Sequence, residues 1–280
     1  MSRSRKITED VIQRWRAEGR GSGTGQCYKP WLEVHDFSSD GIVNRVHSTK
    51  LGRVVHLLST VESCTFYGLE WQETISGIYE QYPLDRQLTL EIASKLGIRH
   101  PYYPGTHVPT VMTVDFLITR VNDSAPSFEA YDCKMTADAE NEREIEKLAI
   151  ARTYFSGMDI PHRLIFDTKI PKQKIKNIEW IRDGIIKSGE DKSYTELLRD
   201  RTIRMANELK STRNIPLRDY CHSFEVRHGL RAGDGLRIAK ILMNERVLLC
   251  NLNNPDLATC PLRAFRLNMT SHYDFSIAAM

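Results

Sequence analysis

The chain has 280 residues, of which 41% are hydrophobic, with 39 Lys and Arg against 36 Asp and Glu. This length accommodates two domains or one large one, and the composition supports a hydrophobic core. No segment approaches the ~20 apolar residues of a membrane span, and Met1–Ile7 lacks the apolar run of a signal peptide. We therefore expect a cytoplasmic protein with no membrane partner. Its six cysteines show no C-x-x-C spacing and are expected to be reduced thiols.

Charge is distributed unevenly along the chain. Residues 1–53 carry ten Lys and Arg against six Asp and Glu, residues 54–160 carry eight against sixteen, and residues 161–280 carry twenty-one against fourteen. Basic ends suit a polyanionic partner, and an acidic middle suits a bound cation. Ordinary surface variation is the alternative explanation.

The N-terminal segment, residues 1–53, is predicted to be a flexible basic arm that leads into the following domain. Its helical spacing from Ile7 ends at the glycine-rich Gly19–Gly25. This loop is not a dinucleotide-binding fingerprint, which needs a strand before it and a helix after it. The basic side chains expected to contact phosphates are Arg16, Arg20 and Lys29.

A helix is predicted from Thr60 to Trp71, and Glu62 lies in its first turn. Ser59-Thr-Val-Glu62 fits an S-x-x-E capping box, in which the glutamate side chain caps the helix. The alternative is that Glu62 is an acid of a metal site. A strand at Ile78–Leu84 and a short helix at Gln87–Gly97 follow.

Two apolar segments then predict an antiparallel hairpin. Val111–Ile118 and Phe128–Lys134 have the β-branched and aromatic content of strands, and Asn122–Pro126 between them is rich in turn residues. A symmetric register pairs residues whose numbers sum to 247. That register places Asp115 directly opposite Asp132.

Opposed acids destabilise a sheet unless a cation neutralises them. Alternation places Asp115, Asp132 and Lys134 on one face and the Cys133 side chain on the other. A divalent metal between Asp115 and Asp132, with the Lys134 amine to orient water and offset developing charge, is suited to phosphodiester hydrolysis. A surface hairpin with a polar face remains the alternative.

After the hairpin, a helix at Glu142–Gly157 and a strand at His162–Thr168 complete a mixed α/β core, residues 54–168. The domain boundary is expected within Ile170–Lys176.

Residues 169–268 are predicted to form a mostly helical winged-helix domain, followed by a tail, residues 269–280. The helical segments are 172–188, 194–211, 216–229 and 233–245, and the strands are Val247–Asn251 and Ala264–Leu267. Arg237 and Lys240 share one face of the last helix, as in a DNA recognition helix. A solvated basic face is equally compatible with this stripe.

Several motifs together resemble the TnsA endonuclease family. They are Glu18-Gly-Arg-Gly-Ser-Gly, Tyr28-Lys-Pro-Trp-Leu32, Gly52-Arg-Val-Val-His-Leu-Leu-Ser-Thr-Val-Glu62, Leu69-Glu-Trp71, Glu80-Gln-Tyr-Pro-Leu84, Val111-Met-Thr-Val-Asp-Phe-Leu117 and Glu146-Lys-Leu148. The resemblance implies a restriction-endonuclease-like domain with a mixed sheet flanked by helices, then a winged-helix domain. It also implies cleavage of the 5′ strands at transposon ends during bacterial DNA transposition, with a TnsB-like transposase and a TnsC-like ATPase as partners.

In this family the catalytic residues correspond to Glu62, Asp115 and Lys134, and the cofactor is Mg²⁺, which we expect Mn²⁺ to replace. The metal ligands would be Glu62, Asp115, Asp132 and Cys133. Val114 replaces the proline of the wider P-D…(D/E)-x-K motif. Asp132 stands where the family pattern allows glutamine, and Ala151 stands near a position where the family can offer another acid.

Two other functions fit the same residues. A stand-alone restriction or repair nuclease would cleave DNA without partners. A non-catalytic winged-helix regulator would bind DNA but no metal. We also expect the C-terminal domain to bind the ATPase, whether or not it contacts DNA.

Overall fold

The computed structural model describes residues 6–36, 43–121, 125–209 and 214–268. The centre of the predicted hairpin turn and the predicted tail lie outside these ranges. The chain divides into two compact units, Met1–Ile170 and Pro171–Met280, which are described separately below.

The first unit alternates helices with strands, as the sequence predicts. Its elements are α1 (Glu9–Ala17), β1 (Asn44–Ser48), β2 (Arg53–Leu57), α2 (Thr60–Glu70), β3 (Ile75–Pro83), α3 (Arg86–Leu96), β4 (Thr113–Arg120), β5 (Ser127–Lys134), α4 (Glu142–Ser156) and β6 (His162–Phe166). The β1–β2 hairpin was not predicted from the sequence.

Local signals explain where two of these helices begin and end. The Asp85 side chain accepts a hydrogen bond from the Leu88 backbone amide and caps α3, and Gly97 ends α3 with a φ of 68°. The Asn141 side chain caps α4 by accepting from the amides of Arg143 and Glu144. These caps fix the starts of both helices on the sheet.

A four-stranded mixed sheet, in the order β3-β4-β5-β6, forms the centre of this unit. Only the β5–β6 pair is parallel. The β4–β5 hairpin has the predicted register, since Phe116 pairs with Tyr131 and Leu117 with Ala130. Asp115 and Asp132 lie one residue beyond the Phe116–Tyr131 pair, toward the start of β4 and the end of β5.

Each face of the sheet carries its own hydrophobic cluster. On the α2 face the buried side chains include Phe66, Phe116, Ile118, Tyr131 and Cys133. On the opposite face, Ile92 of α3 and Ile150 and Phe155 of α4 pack in one cluster with Leu117 and Ala130 of the sheet. The alternation along β4 and β5 therefore places Cys133 on the α2 face, as predicted, and leaves Asp132 and Lys134 on the α4 face.

The predicted flexible arm is wrong for the described residues of the N-terminal segment. Ile12 and Trp15 of α1 are buried with Trp31, Tyr103 and Val111 in a third cluster. Trp15 and Trp31 meet edge to face, with ring centroids 5.4 Å apart. Burial of large aromatic side chains fixes this segment against the rest of the first unit.

The second unit is mostly helical. It contains α5 (Lys172–Arg182), α6 (Lys192–Glu208), α7 (Leu217–His228), α8 (Asp234–Asn244) and a short antiparallel pair, β7 (Leu248–Leu249) with β8 (Arg266–Leu267). The four predicted helices are confirmed, and the winged-helix assignment stays a prediction. In the part of the chain that the structure describes, no helix has both the length and the apolar character needed to cross a membrane.

The predicted recognition helix, α8, is a central helix of this unit. It packs against α5, α6, α7 and β7. Arg237 Nη2 lies 2.7 Å from both carboxylate oxygens of Glu190, and the Lys240 ammonium lies 4.4 Å from the centre of the Trp180 ring. The two basic side chains are half-buried and make contacts within their own unit, and their role in DNA binding stays a prediction.

Candidate active site

The two opposed acids lie where β4 and β5 approach each other at one end of the hairpin. The Cys133 backbone amide donates to Asp115 Oδ2 at 2.7 Å, and the Asp115 amide lies 3.4 Å from Asp132 Oδ1. Asp132 is buried, whereas Asp115 is partly exposed. The hairpin register thus brings both carboxylates to the same end of the sheet.

Glu62 reaches the same site from the first turn of α2. The Ser59 hydroxyl accepts from the Glu62 backbone amide at 3.1 Å, which confirms the predicted helix cap. The Glu62 carboxylate instead accepts from the Leu58 amide at 2.9 Å, so the return contact of a capping box is absent from this pair of residues. This buried carboxylate is directed toward the acids of the hairpin.

Gln81 connects Glu62 to Asp115. Its Nε2 lies 3.3 Å from Glu62 Oε2 and 3.2 Å from Asp115 Oδ1, and its Oε1 accepts from the Thr113 hydroxyl at 3.0 Å. Gln81 is buried and has a φ of 47°, a left-handed conformation that side-chain-bearing residues rarely adopt. Backbone strain at a side chain between two acids indicates a functional constraint.

Lys134 follows β5 into the same cleft. Its Nζ donates to Glu144 Oε2 of α4 at 3.0 Å, and Glu144 also pairs with Lys147. Although burial opposes the charged ammonium, the carboxylates of Asp115 and Glu144 raise the pKa of Lys134. Lys134 is therefore a cation held beside the acids.

Asp132 has a partner from the neighbouring parallel strand. His162 Nε2 lies 2.8 Å from Asp132 Oδ2, and the His162 ring stacks on Phe155 of α4 with centroids 5.6 Å apart. Both side chains of the Asp132–His162 pair are largely enclosed by protein. The β6 strand thus contributes a contact to the site that the hairpin alone does not provide.

Among the described residues, the acids of the site carry more negative charge than Lys134 alone can offset. Burial, followed by the charges of Glu62 and Asp132, raises the pKa of Asp115 well above its usual value. Burial also raises the pKa of Glu62, although hydrogen bonds from Leu58 and Gln81 oppose the shift. Lys134 offsets only part of this charge, so the cluster favours either protonation or a bound cation.

The ligand chemistry fits a hard divalent metal. Glu62, Asp115 and Asp132 offer carboxylate oxygens, and the backbone carbonyl of Cys133 lies between Asp132 and Lys134 in the chain. The Cys133 thiol lies 3.4 Å from the Thr65 hydroxyl of α2, so the side chain is occupied on the other face of the sheet. An oxygen-only donor set is typical of magnesium or manganese sites.

A cleft of about 360 Å³ opens beside these residues. Its lining includes Asp115, Asp132 and Lys134, together with the loop from Pro101 to Pro104. Within that loop Tyr103 is buried in the N-terminal cluster and Tyr102 is 41% exposed. The loop therefore both lines the cleft and packs against the N-terminal cluster.

The predicted phosphate-contacting residues of the N-terminal segment differ in their surroundings. Arg20 is largely buried, pairs with Asp36 at 2.5 Å and with Glu33 at 3.4 Å, and lies over the Trp15 ring. Its guanidinium is thus occupied by internal carboxylates, which argues against the predicted DNA contact. Arg16 and Lys29 are exposed, although Lys29 also donates to the Glu18 carbonyl.

Sequence reasoning missed three residues of the site, Gln81, Glu144 and His162. Gln81 belongs to a motif that carried the family resemblance, but nothing in its spacing indicates that its amide lies between two acids. Glu144 follows the Asn141 cap, so its place in the first turn of α4 was predictable. His162 begins a predicted strand, and only the parallel pairing of Ala130 with His162 places it beside Asp132.

A mixed sheet with acids on adjacent strands, a lysine two residues after the second acid and flanking helices defines a restriction-endonuclease-like fold. Two family models match the chain. "TnsA-like endonuclease N terminal" matches residues 72–167, and "TnsA endonuclease C terminal" matches residues 169–252. The chain therefore belongs to the TnsA family.

A curated relative supports the same assignment. The chain is similar to "Transposon Tn7 transposition protein TnsA" from Escherichia coli, with 39% identity over 175 residues. The matching segment is 62% of this chain and 63% of that relative, so about a third of each lies outside the comparison.

Proposed function

We propose that this chain is the endonuclease subunit of a Tn7-type transposase in a bacterial cytoplasm. It would hydrolyse the 5′ strands at transposon ends and use Mg²⁺, or Mn²⁺ in its place. Its partners would be a TnsB-like transposase and a TnsC-like ATPase. The observation that carries this proposal is that Asp115, Asp132 and Lys134 line one cleft, while Gln81 joins Glu62 to Asp115. Membership of the TnsA family supports it.

The residues of the site would divide the work of phosphodiester hydrolysis. Asp115, Asp132 and the Cys133 carbonyl would hold the metal, with Glu62 assisting as a ligand or through a water molecule. When bound, a divalent cation polarises the scissile phosphate and lowers the pKa of water. The buried carboxylates would also orient that water by accepting its hydrogen bonds.

Lys134 would act as a cation. The raised pKa of Lys134 favours the protonated ammonium, which can orient the attacking water and stabilise charge that develops on the phosphate. Glu144 would restrict the ammonium to the cleft by accepting one of its hydrogen bonds. A proton-abstracting role for Lys134 would need a lowered pKa, so the surroundings support the electrostatic role.

Strand cleavage by the assembled complex tests the assignment. We expect Asp115→Ala and Lys134→Ala to reduce nicking of transposon-end DNA by at least about 100-fold, because each removes a group that stabilises the transition state. Lys95→Ala, an exposed lysine in the last turn of α3, is the matched control and should cleave like the wild type. Wild-type rates from a folded Asp115 or Lys134 variant would refute the assignment.

The same assay separates the alternatives. A stand-alone nuclease would cut DNA as the purified chain, whereas the proposed subunit should cut little without its partners. The internal contacts of Arg237 and Lys240 give less support to a non-catalytic DNA-binding regulator than the sequence pattern alone does. The second unit is expected to bind the ATPase. A pull-down of the ATPase by the full chain, compared with full chains that carry substitutions in the second unit, would test this expectation.

A further inference from the structure

His162 and Asp132 form a nearly enclosed pair at the edge of the candidate active site. Their side chains are 6% and 8% exposed, and 2.8 Å separates His162 Nε2 from Asp132 Oδ2. The His162 ring also stacks on the Phe155 ring, and the two ring planes differ by 30°. The imidazole is therefore held in one orientation by the sheet and by α4.

The contact with His162 gives the two carboxylate oxygens of Asp132 different surroundings. A carboxylate only accepts hydrogen bonds, so Nε2 carries the hydrogen and donates it to Oδ2. The other oxygen, Oδ1, faces the Asp115 backbone amide at a longer distance of 3.4 Å. Oδ2 of Asp132 is thus strongly engaged by His162, and Oδ1 has only a long contact with the Asp115 amide.

We propose that His162 is a positioning residue that limits Asp132 to one metal-binding oxygen, Oδ1, and so tunes the site toward small octahedral cations. Magnesium and manganese accept single carboxylate oxygens in octahedral geometry, whereas calcium takes more ligands and often both oxygens of one carboxylate. Removing a residue that hydrogen-bonds to a metal-binding side chain typically weakens metal binding by about 10–100-fold. This inference rests on the proposed function, because it requires a metal at Asp132.

The second unit contains a matched arrangement that serves as a control. His228 Nε2 lies 2.9 Å from Glu208 Oε1, and the His228 ring lies against Phe224 with centroids 4.2 Å apart. This pair also joins an imidazole to a carboxylate, although Glu208 is 33% exposed and accepts a second hydrogen bond from Arg227. None of its residues belongs to the candidate site, so a His228 variant controls for the loss of a histidine–carboxylate contact elsewhere in the chain.

Calorimetric titration of the full chain with Mn²⁺ and with Ca²⁺ tests the proposal. We expect His162→Ala to weaken Mn²⁺ binding by about 10–100-fold and to weaken Ca²⁺ binding less, because Oδ2 becomes available. His162→Gln, which keeps an amide donor, should recover part of the Mn²⁺ preference. His228→Ala should match the wild type in both titrations, and thermal unfolding with a chelator would verify that each variant is folded.

The outcomes separate this inference from the proposed function. Unchanged Mn²⁺ affinity and unchanged preference over Ca²⁺ in folded His162→Ala would overturn the inference alone. Equal weakening in the His162 and His228 variants would also overturn it, because the effect would then be general destabilisation. Absence of Mn²⁺ binding to the wild-type chain would overturn both the inference and the proposed metal dependence.

Discussion

Two acids in the first unit are only one strand apart, yet they have opposite electrostatic surroundings. Glu80 of β3 is fully buried and accepts two hydrogen bonds of 2.6 Å from the Arg53 guanidinium. Asp115 of β4 is opposed by Glu62 and Asp132, and the closest donor in its surroundings is the Cys133 amide. One acid is neutralised within the chain, and the other is left with an excess of negative charge.

This difference distinguishes a structural acid from a functional one. The Arg53 guanidinium also donates to the Ile78 carbonyl at 2.7 Å and lies over the Tyr28 ring, so the Glu80 pair is integrated into the packing between β2 and β3. The Asp115 cluster instead opens onto a cleft. Within the described ranges, Arg53 pairs with the Glu80 carboxylate alone, whereas Lys134 pairs with Glu144 and faces several acids around Asp115, so an external cation would offset the remaining charge there.

The largest expected effect comes from removing the internal cation of Glu80. Arg53→Met leaves a buried carboxylate without its partner, and breaking such a pair typically costs about 3–5 kcal/mol of folding free energy. We expect chemical denaturation to show a loss of this size for the variant.

A double variant and a surface control sharpen this result. Arg53→Met combined with Glu80→Met removes both charges and should recover most of the stability, since hydrophobic replacement of a buried pair is often nearly neutral. Arg163→Met, at an exposed arginine paired with Glu129, should cost about 1 kcal/mol or less. If Arg53→Met and Arg163→Met lowered the folding free energy by similar amounts, Glu80 would not depend on a buried counter-ion. The proposed contrast between Glu80 and Asp115 would then be contradicted.

A smaller effect of opposite sign is expected at the functional acid. Asp115→Asn removes one charge from the cluster and should stabilise the chelator-treated chain at neutral pH. A gain of ~1 kcal/mol would raise the thermal midpoint by roughly 2–4 °C in a unit of this size. Differential scanning calorimetry of wild-type and variant chains would measure the shift.

The pH dependence of this gain follows from the direction of the pKa shift. Because the pKa of Asp115 is raised in the folded chain, its favourable contribution is present below the unfolded value of about 3.9 and is lost as the pH rises through the folded pKa. Asparagine does not ionise, so the stability difference should be small in acid and grow toward neutral pH. A variant that is less stable than the wild type at neutral pH, without metal, would contradict this account.

Local patterns predicted the hairpin correctly. The apolar alternation and the turn-rich Asn122–Pro126 set its midpoint, and a period of two then decides which side chains share a face. For that reason the register of β4 and β5, the placement of Asp132 with Lys134 and the opposite orientation of Cys133 were all predictable. The cap at Ser59 was predictable for the same reason, because it depends on neighbours in the chain.

Long-range packing explains the failures. Helical spacing correctly places Arg237 and Lys240 on one face of α8, but it does not reveal which element covers that face. Gly184, just after α5 in the chain, packs closely against α8. A Cβ added at Gly184 would lie 2.4 Å from the Lys240 Cβ. Similarly, the parallel β5–β6 pairing that brings His162 to Asp132 joins segments separated by the whole of α4, so no local signal specifies it.

The central claim is that the uncompensated acids around Asp115 bind a divalent cation. The most direct test is calorimetric titration of the full chain with Mn²⁺ near pH 6 to 7 in two buffers with different ionisation enthalpies, which measures proton release on binding. Because the pKa values of Asp115 and Glu62 are raised, we predict that Mn²⁺ binding releases protons and that Asp115→Asn binds more weakly and releases fewer. Absence of binding, or proton release that is the same in wild type and variant, would contradict the claim.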